Sequence, residues 1–245
     1  MQKVSLVTGA AAGIGAAVAA ELAARGDAVV VADIDRTSGE AVVAGLTAAG
    51  HQAMFVALDV SKRADWERAR DEVTAAFGSV DVLVNNAGVF RDRTLLKLSD
   101  EDWDRVLDVN LKSAWLGMQV LIPGMKAKKW GRIVNVSSSA HRGSFGQSNY
   151  AAAKGGLVSL TRSAAIESVK SGILVNAIAP HNVDTQLLKK VSDELRQEWI
   201  AKSRFGRFLE PAEVAAVVEF LTSPRNAVVT GQLIEIDGGD IVGLP

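Results

Sequence analysis

Cysteine is absent from the 245 residues, which excludes disulfides and thiolate metal sites and fits a reducing compartment, so a cytoplasmic location is expected. Histidine is scarce. His51, His141 and His181 lie far apart with no i, i+4 pair, and no metal site is expected. An excess of charge is also missing: 27 basic residues stand against 28 acidic ones. The chain therefore offers no general field for nucleic acid or an anionic membrane surface. Nor is there an uninterrupted apolar run of about 18 residues, as a membrane span needs. Residues 4–24 come nearest, but three glycines, Thr8 and Glu21 interrupt them. No repeat, low-complexity tract, interdomain linker or address label is visible. Among the aromatics tyrosine is rarest, with Tyr150 alone.

Apolar residues supply 48% of the chain, enough for a sizeable core, and the length suits one α/β domain. Residues 4–7 read as a short buried strand that feeds Thr8-Gly9-Ala10-Ala11-Ala12-Gly13-Ile14-Gly15 and then a helix to about residue 25. Strand, glycine turn and helix form the context of a phosphate cradle. Glycines permit positive φ and close approach, and the helix N-terminus presents free N–H groups to a pyrophosphate. The next strand, 28–32, ends in Asp33. A carboxylate about 20 residues beyond such a turn can accept both hydroxyls of an adenosine ribose and repels a 2′-phosphate. No basic residue lies in the turn, and Arg36 comes three residues late, so NAD is expected over NADP.

Helices are expected over 37–50 and 61–77, with a strand over 52–58 between them. Asp59 follows that strand, suited either to capping the next helix or to holding the adenine amino group. A fourth strand, 80–84, closes in Asn85-Asn86-Ala87-Gly88, which suits either a generic turn or a place where backbone and cofactor pass closely. From Ser99-Asp100-Glu101 a long helix is expected to about residue 126, with Trp103, Val106, Leu107 and Leu111 as its apolar stripe. Asn110 lies on that stripe and must find partners if buried, as a structural bridge or within a polar site. A fifth strand, 133–136, delivers Ser137, Ser138 and Ser139 into a small-residue loop that leads to a helix carrying Tyr150 and Lys154.

At i and i+4 a phenol and an ammonium share one helix face. A cation held beside a phenol favours the phenolate and draws its pKa down from about 10. A serine hydroxyl can then share the substrate oxygen, and the group can exchange a proton with an alcohol or ketone. Tyr-x-x-x-Lys alone equally describes an ordinary buried tyrosine beside a solvated lysine. A sixth strand, 173–179, is followed from Pro180 to about residue 210 by an irregular region holding Leu187, Leu188, Trp199, Phe205 and Phe208. Apolar side chains there suit a substrate lid or simple packing. A last helix to residue 222 and a strand over 233–236 complete seven strands, most separated by helices. That alternation predicts a doubly wound parallel sheet, with ligands at the carboxyl ends of its strands.

Taken together, Thr8-Gly9-x-x-x-Gly13-x-Gly15, Asn85-Asn86-Ala87-Gly88, Asn110, the serine strand and Tyr150-x-x-x-Lys154 resemble the short-chain dehydrogenase/reductase family over essentially the whole chain. The resemblance implies a single Rossmann domain over 1–245, with a substrate loop over about 181–209. It implies Tyr150 as general acid/base, Lys154 lowering its pKa and binding the nicotinamide ribose, and Asn110 anchoring a relay water. One serine would orient the substrate. The family's spacing to the tyrosine points to Ser137, whereas strand register points to Ser138, which is preferred here. Cofactor contacts are implied for Gly9, Gly13, Ile14, Gly15 and Asp33, and for Asp59, Val60, Asn86, Ala87 and Gly88. The same holds for Tyr150, Lys154, Pro180, Val183 and Thr185. Where the family commonly has Pro-Gly, this chain has Pro180-His181. His181 either fills space or polarises the substrate mouth, as His141, Arg142 and Phe145 can.

Within the family, Asn85-Asn86-Ala87-Gly88-Val89-Phe90-Arg91-Asp92 and Val229-Thr230-Gly231-Gln232 resemble 3-oxoacyl-carrier-protein reductases. Those enzymes generally use NADPH, in conflict with Asp33. Lys126, Lys128 and Lys129 can meet an acidic carrier or simply solvate a helix end. The expected activity is NAD-dependent interconversion of a secondary alcohol and a ketone by a homotetramer, with no nucleic-acid or membrane partner. The rivals are an NADPH-dependent carrier-protein ketoreductase and a non-catalytic nucleotide-binding scaffold or sensor.

Overall fold

Strand β1 (Val4–Thr8) is buried at every residue. β2 (Ala28–Asp33), β3 (Ala53–Ala57), β4 (Val82–Asn85), β5 (Gly131–Val136), β6 (Ile173–Pro180) and β7 (Leu233–Ile236) follow. In the computed structural model, which describes residues 2–185 and 192–240, these strands form one sheet in the order β3-β2-β1-β4-β5-β6-β7. All six pairings are parallel. A strand buried on both faces reads as a continuous apolar run, which is why these segments were legible.

The helices are α1 (Gly13–Ala24), α2 (Arg36–Ala48), α3 (Arg63–Phe77), α4 (Asp100–Leu107), α5 (Ser113–Lys128), α6 (Ser148–Ser168), α7 (Asp193–Lys202) and α8 (Pro211–Thr222). Successive strand residues point to opposite faces. Leu6, Leu83 and Ile133 pack with Trp66 of α3 and Leu116 of α5 on one face. Val7, Val84 and Val134 pack with Val18 of α1 and Val218 of α8 on the other. Trp66 is fully buried, and its indole donates to the Val60 carbonyl at 2.9 Å. The winding reverses between β1 and β4, and this opens a crevice at their carboxyl ends. Among the described residues, no helix is long and apolar enough to cross a membrane.

Two expectations need correction. The long helix from Ser99 runs on to Lys128 but is not α-helical throughout: a π-helical turn, Asp108–Lys112, joins α4 to α5. Within α4 the apolar stripe is unevenly covered, with Val106 buried and Trp103 partly exposed. The region after Pro180 is also not wholly irregular, because α7 occupies part of it, capped by Ser192, whose side chain accepts from Leu195 N. Phe208 is buried under the Arg196 guanidinium, 4.8 Å away, while Phe205 is exposed. Leu187 and Leu188 lie outside the described residues.

Candidate active site

The turn after β1 is held open from several directions. Gly9 and Gly13 take φ of 64° and 55°, where glycine is favoured. A side chain on Gly15 would put its Cβ 2.2 Å from the Gly9 carbonyl oxygen, so Gly15 serves the packing of turn against helix. Asn86 braces the same turn, donating to the carbonyls of Thr8 at 2.9 Å and Gly9 at 3.1 Å. Thr8 Oγ1 accepts from the N–H groups of Asn86 and Ala87. Asp33 closes the ring, accepting from Ala11 N and Asp35 N at 3.0 Å each.

A cavity of about 480 Å³ follows, lined by Gly9, Gly13, Ile14 and Asp33, by Asp59 and Val60, and by Asn86, Ala87, Gly88 and Thr185. Gly15, Pro180, Val183, Tyr150 and Lys154 lie outside this lining. Val183 instead bridges to Leu209. Asp33 keeps free lone pairs facing the cavity, because a carboxylate accepts about four hydrogen bonds. Arg36, the nearby cation, is turned to Glu40 at 2.9 Å and stacked 5.2 Å over Phe55. Asp59 lines the cavity and also caps locally, taking the Ser61 hydroxyl at 2.6 Å and the Ser61 amide at 3.0 Å. Burial opposes its charge, but those bonds together with Lys62 outweigh it and hold its carboxyl below the usual range.

Tyr150 and Lys154 are both buried on α6. Phe90 packs on the Tyr150 ring at 4.5 Å. The Ser138 side chain stands near enough to the Tyr150 phenol to draw its pKa down, and its hydroxyl accepts from Ala140 N at 3.2 Å. Ser137 faces away from the phenol, donating to the Lys154 carbonyl at 2.9 Å. The Lys154 ammonium donates to the Val136 carbonyl at 2.7 Å and sits 5.5 Å from the Tyr150 ring centroid. Asn110 projects from the π turn, donating to the carbonyls of Val89 at 2.9 Å and Val106 at 3.0 Å. Its Oδ1 is buried without a partner. A Gly88 Cβ would lie 2.7 Å from that oxygen and 3.8 Å from Lys154 Nζ. The glycine thus keeps a small polar gap open between them.

The expected lowering of the phenol by the lysine is not what this environment does. Burial pushes the Tyr150 phenol up to about 12; Ser138 acts against this and the charge of Asp92 adds to it. The ammonium lies 5.5 Å from the ring centroid, and burial pushes it down to about 8. Between about pH 8 and 10.5 the unfolded chain still holds the Lys154 proton that the folded chain has released. The stability contributed by this group therefore rises with pH through that window. In thermal melts, Lys154→Met should gain most over the parent below pH 8 and lose that advantage towards pH 10.5. A difference that does not change with pH would rule out a charged, desolvated lysine.

Gln147 donates to Asp92 at 2.8 Å. His181 Nδ1 and Ser139 Oγ share a 2.8 Å hydrogen bond, with Asp240 3.7 Å from His181 Nε2. His141 and Arg142 both engage Glu235, at 2.9 and 3.0 Å. Neither histidine is idle filler: each holds a loop end to the C-terminal segment. Sequence reading missed Phe90, Asp92 and Gln147, because contacts between two loops leave no periodic trace. Lys128 is committed to buried Asp81 at 2.8 Å and to the Ser79 carbonyl.

A family profile described as enoyl-(acyl carrier protein) reductase matches residues 9–240. The chain is 39% identical over 241 residues to the 3-oxoacyl-[acyl-carrier-protein] reductase FabG of Thermotoga maritima, with 98% of each chain covered. It is 38% identical over 237 residues to the (2S)-[(R)-hydroxy(phenyl)methyl]succinyl-CoA dehydrogenase subunit BbsD of Thauera aromatica, covering 97% of this chain and 96% of that one. A solved structure from Agrobacterium tumefaciens, described as a gluconate dehydrogenase, matches with a TM-score of 0.95 at 31% identity, covering 99% of this chain and 97% of the other.

Proposed function

The chain belongs to the short-chain dehydrogenase/reductase family of oxidoreductases, which bind a nicotinamide cofactor, and from that premise we propose that it interconverts a secondary alcohol and a ketone with NAD preferred. The observation that carries this is the grouping of the Tyr150 phenol with the Ser138 side chain that acts on it and the Lys154 ammonium 5.5 Å from its ring centroid. When bound, the nicotinamide accepts or supplies the hydride. Ser138 holds the substrate oxygen. Tyr150 gives its proton to that oxygen in the reductive direction and takes it back in the oxidative one. A phenol kept neutral by burial suits the donor role. Asn110 Oδ1, buried and unpartnered, suits a water that links Lys154 to solvent and resupplies the proton. A pure binding scaffold has no use for these four groups together.

Fit to the cofactor rests on the cradle itself. The α1 N-terminus receives the pyrophosphate, and Asp33 accepts the ribose hydroxyls. The carboxylates of Asp33 and Asp35 at this end of the cavity, with Arg36 turned away, favour NAD. Asp33→Ala should lower the NAD-over-NADP ratio of kcat/KM by about tenfold, the size of one like-charge contact near a surface. An unchanged ratio removes Asp33 from selection. The relatives named as 3-oxoacyl-[acyl-carrier-protein] reductases favour a second reading, reduction of a 3-oxoacyl thioester. Initial rates on a panel of ketones, secondary alcohols and a 3-oxoacyl thioester, with NADH and NADPH, separate the two. A homotetramer belongs to the same proposal, supported by exposed Leu95 and Leu96 and half-exposed Trp115.

A further inference from the structure

Among the described residues, Arg105 is the only cation that lines the 480 Å³ cavity, where Asp33, Asp35 and Asp59 are its charged companions. Among the described residues its side chain has no ion pair, hydrogen bond or ring contact, whereas Arg36 and Arg63 are each engaged. It stands near the end of α4, and Val109 lies in the π turn that follows. Val109 lines the same cavity, as do Leu58 and Val60. If the N-terminus of α1 receives the pyrophosphate and Asp33 the ribose, the apolar slot lined by Leu58, Val60 and Val109 is left for the purine. An arginine at the rim of that slot has a planar, weakly hydrated cation to lay on an aromatic face.

We infer that Arg105 is a cofactor-binding residue whose guanidinium covers the adenine ring of the dinucleotide. This rests on the nicotinamide-cofactor reading and adds to it a purine clamp on α4, outside the glycine turn. A guanidinium stacked on a purine needs its plane as well as its charge. A cation neutralising phosphate needs only the charge, and lysine then serves as well. The side chain is exposed and without structural partners, so its replacement leaves the fold intact.

The test measures dissociation constants on the cofactor-free protein by calorimetry, with ADP-ribose, NADH and reduced nicotinamide mononucleotide as probes. Arg105→Leu should weaken ADP-ribose and NADH by about five- to tenfold, with binding of the mononucleotide unchanged. Arg105→Lys should recover little of the loss. An ADP-ribose constant within about twofold of the parent in Arg105→Leu overturns the inference. Full rescue by lysine also overturns it, since that result places the charge on phosphate. A parent that binds neither ADP-ribose nor NADH overturns both this inference and the cofactor reading, whereas normal parent binding with an insensitive variant overturns the role of Arg105 alone.

Discussion

Tyr150→Phe is expected to lower turnover by about 10²–10⁴-fold, the usual size of a general acid/base contribution, and to leave NADH affinity near that of the parent. The substitution keeps the ring that packs at 4.5 Å against Phe90 and removes only the hydroxyl, so the fold and the 480 Å³ cavity survive. Stopped turnover alone would be ambiguous; a retained NADH dissociation constant shows that the site is still assembled. A variant with near-parent turnover would take Tyr150 out of the chemistry. The raised phenol sharpens the expectation. With the proton held to about pH 12, the parent should reduce ketones across the neutral range without an acid-side optimum set by this residue.

Ser138→Ala should cost about 10²–10³-fold in turnover, the loss typical of one donor aimed at a developing oxyanion. Ser137→Ala should leave turnover within a few-fold and instead cost about 1 kcal/mol of stability, for the lost bond to the Lys154 carbonyl. The two serines are adjacent and chemically identical, so only direction separates them: Ser137 is buried beneath α6, and Ser138 faces the phenol. Kinetics and melts on the pair decide the assignment, and a reversed pattern would transfer the substrate role to Ser137.

Much of this architecture is written in local patterns. Seven apolar runs gave seven strands, because a parallel strand buried on both faces cannot hide its composition. Tyr150 and Lys154 were legible because both sit on one helix, where spacing fixes direction. The π turn was not, since the apolar spacing of Trp103, Val106, Leu107 and Leu111 continues through it and the extra residue per turn leaves no mark in composition. α7 was overlooked for a different reason. Ser192-Asp193-Glu194 carries the same helix-start signature as Ser99-Asp100-Glu101, but the polar decapeptide behind it has little apolar stripe to confirm a helix. The direction of the Tyr150 pKa was misjudged because proximity in sequence says nothing of desolvation, which here exceeds the lowering by Ser138. Arg105 escaped notice because a lone arginine on a charged helix reads as solvated until the cavity beside it is known.

The widened turn at Asp108–Lys112 has a geometric consequence. One added residue offsets everything after it by about 100° around the axis, so α4 presents its buried side to α6 while α5 presents a differently phased side to α3 and the central strands. The two halves of one rod are thereby aimed independently. Substitutions that retune the crevice side need not disturb the close seat of Gly117 under Trp66, and a lineage can alter substrate preference without renegotiating its foundations.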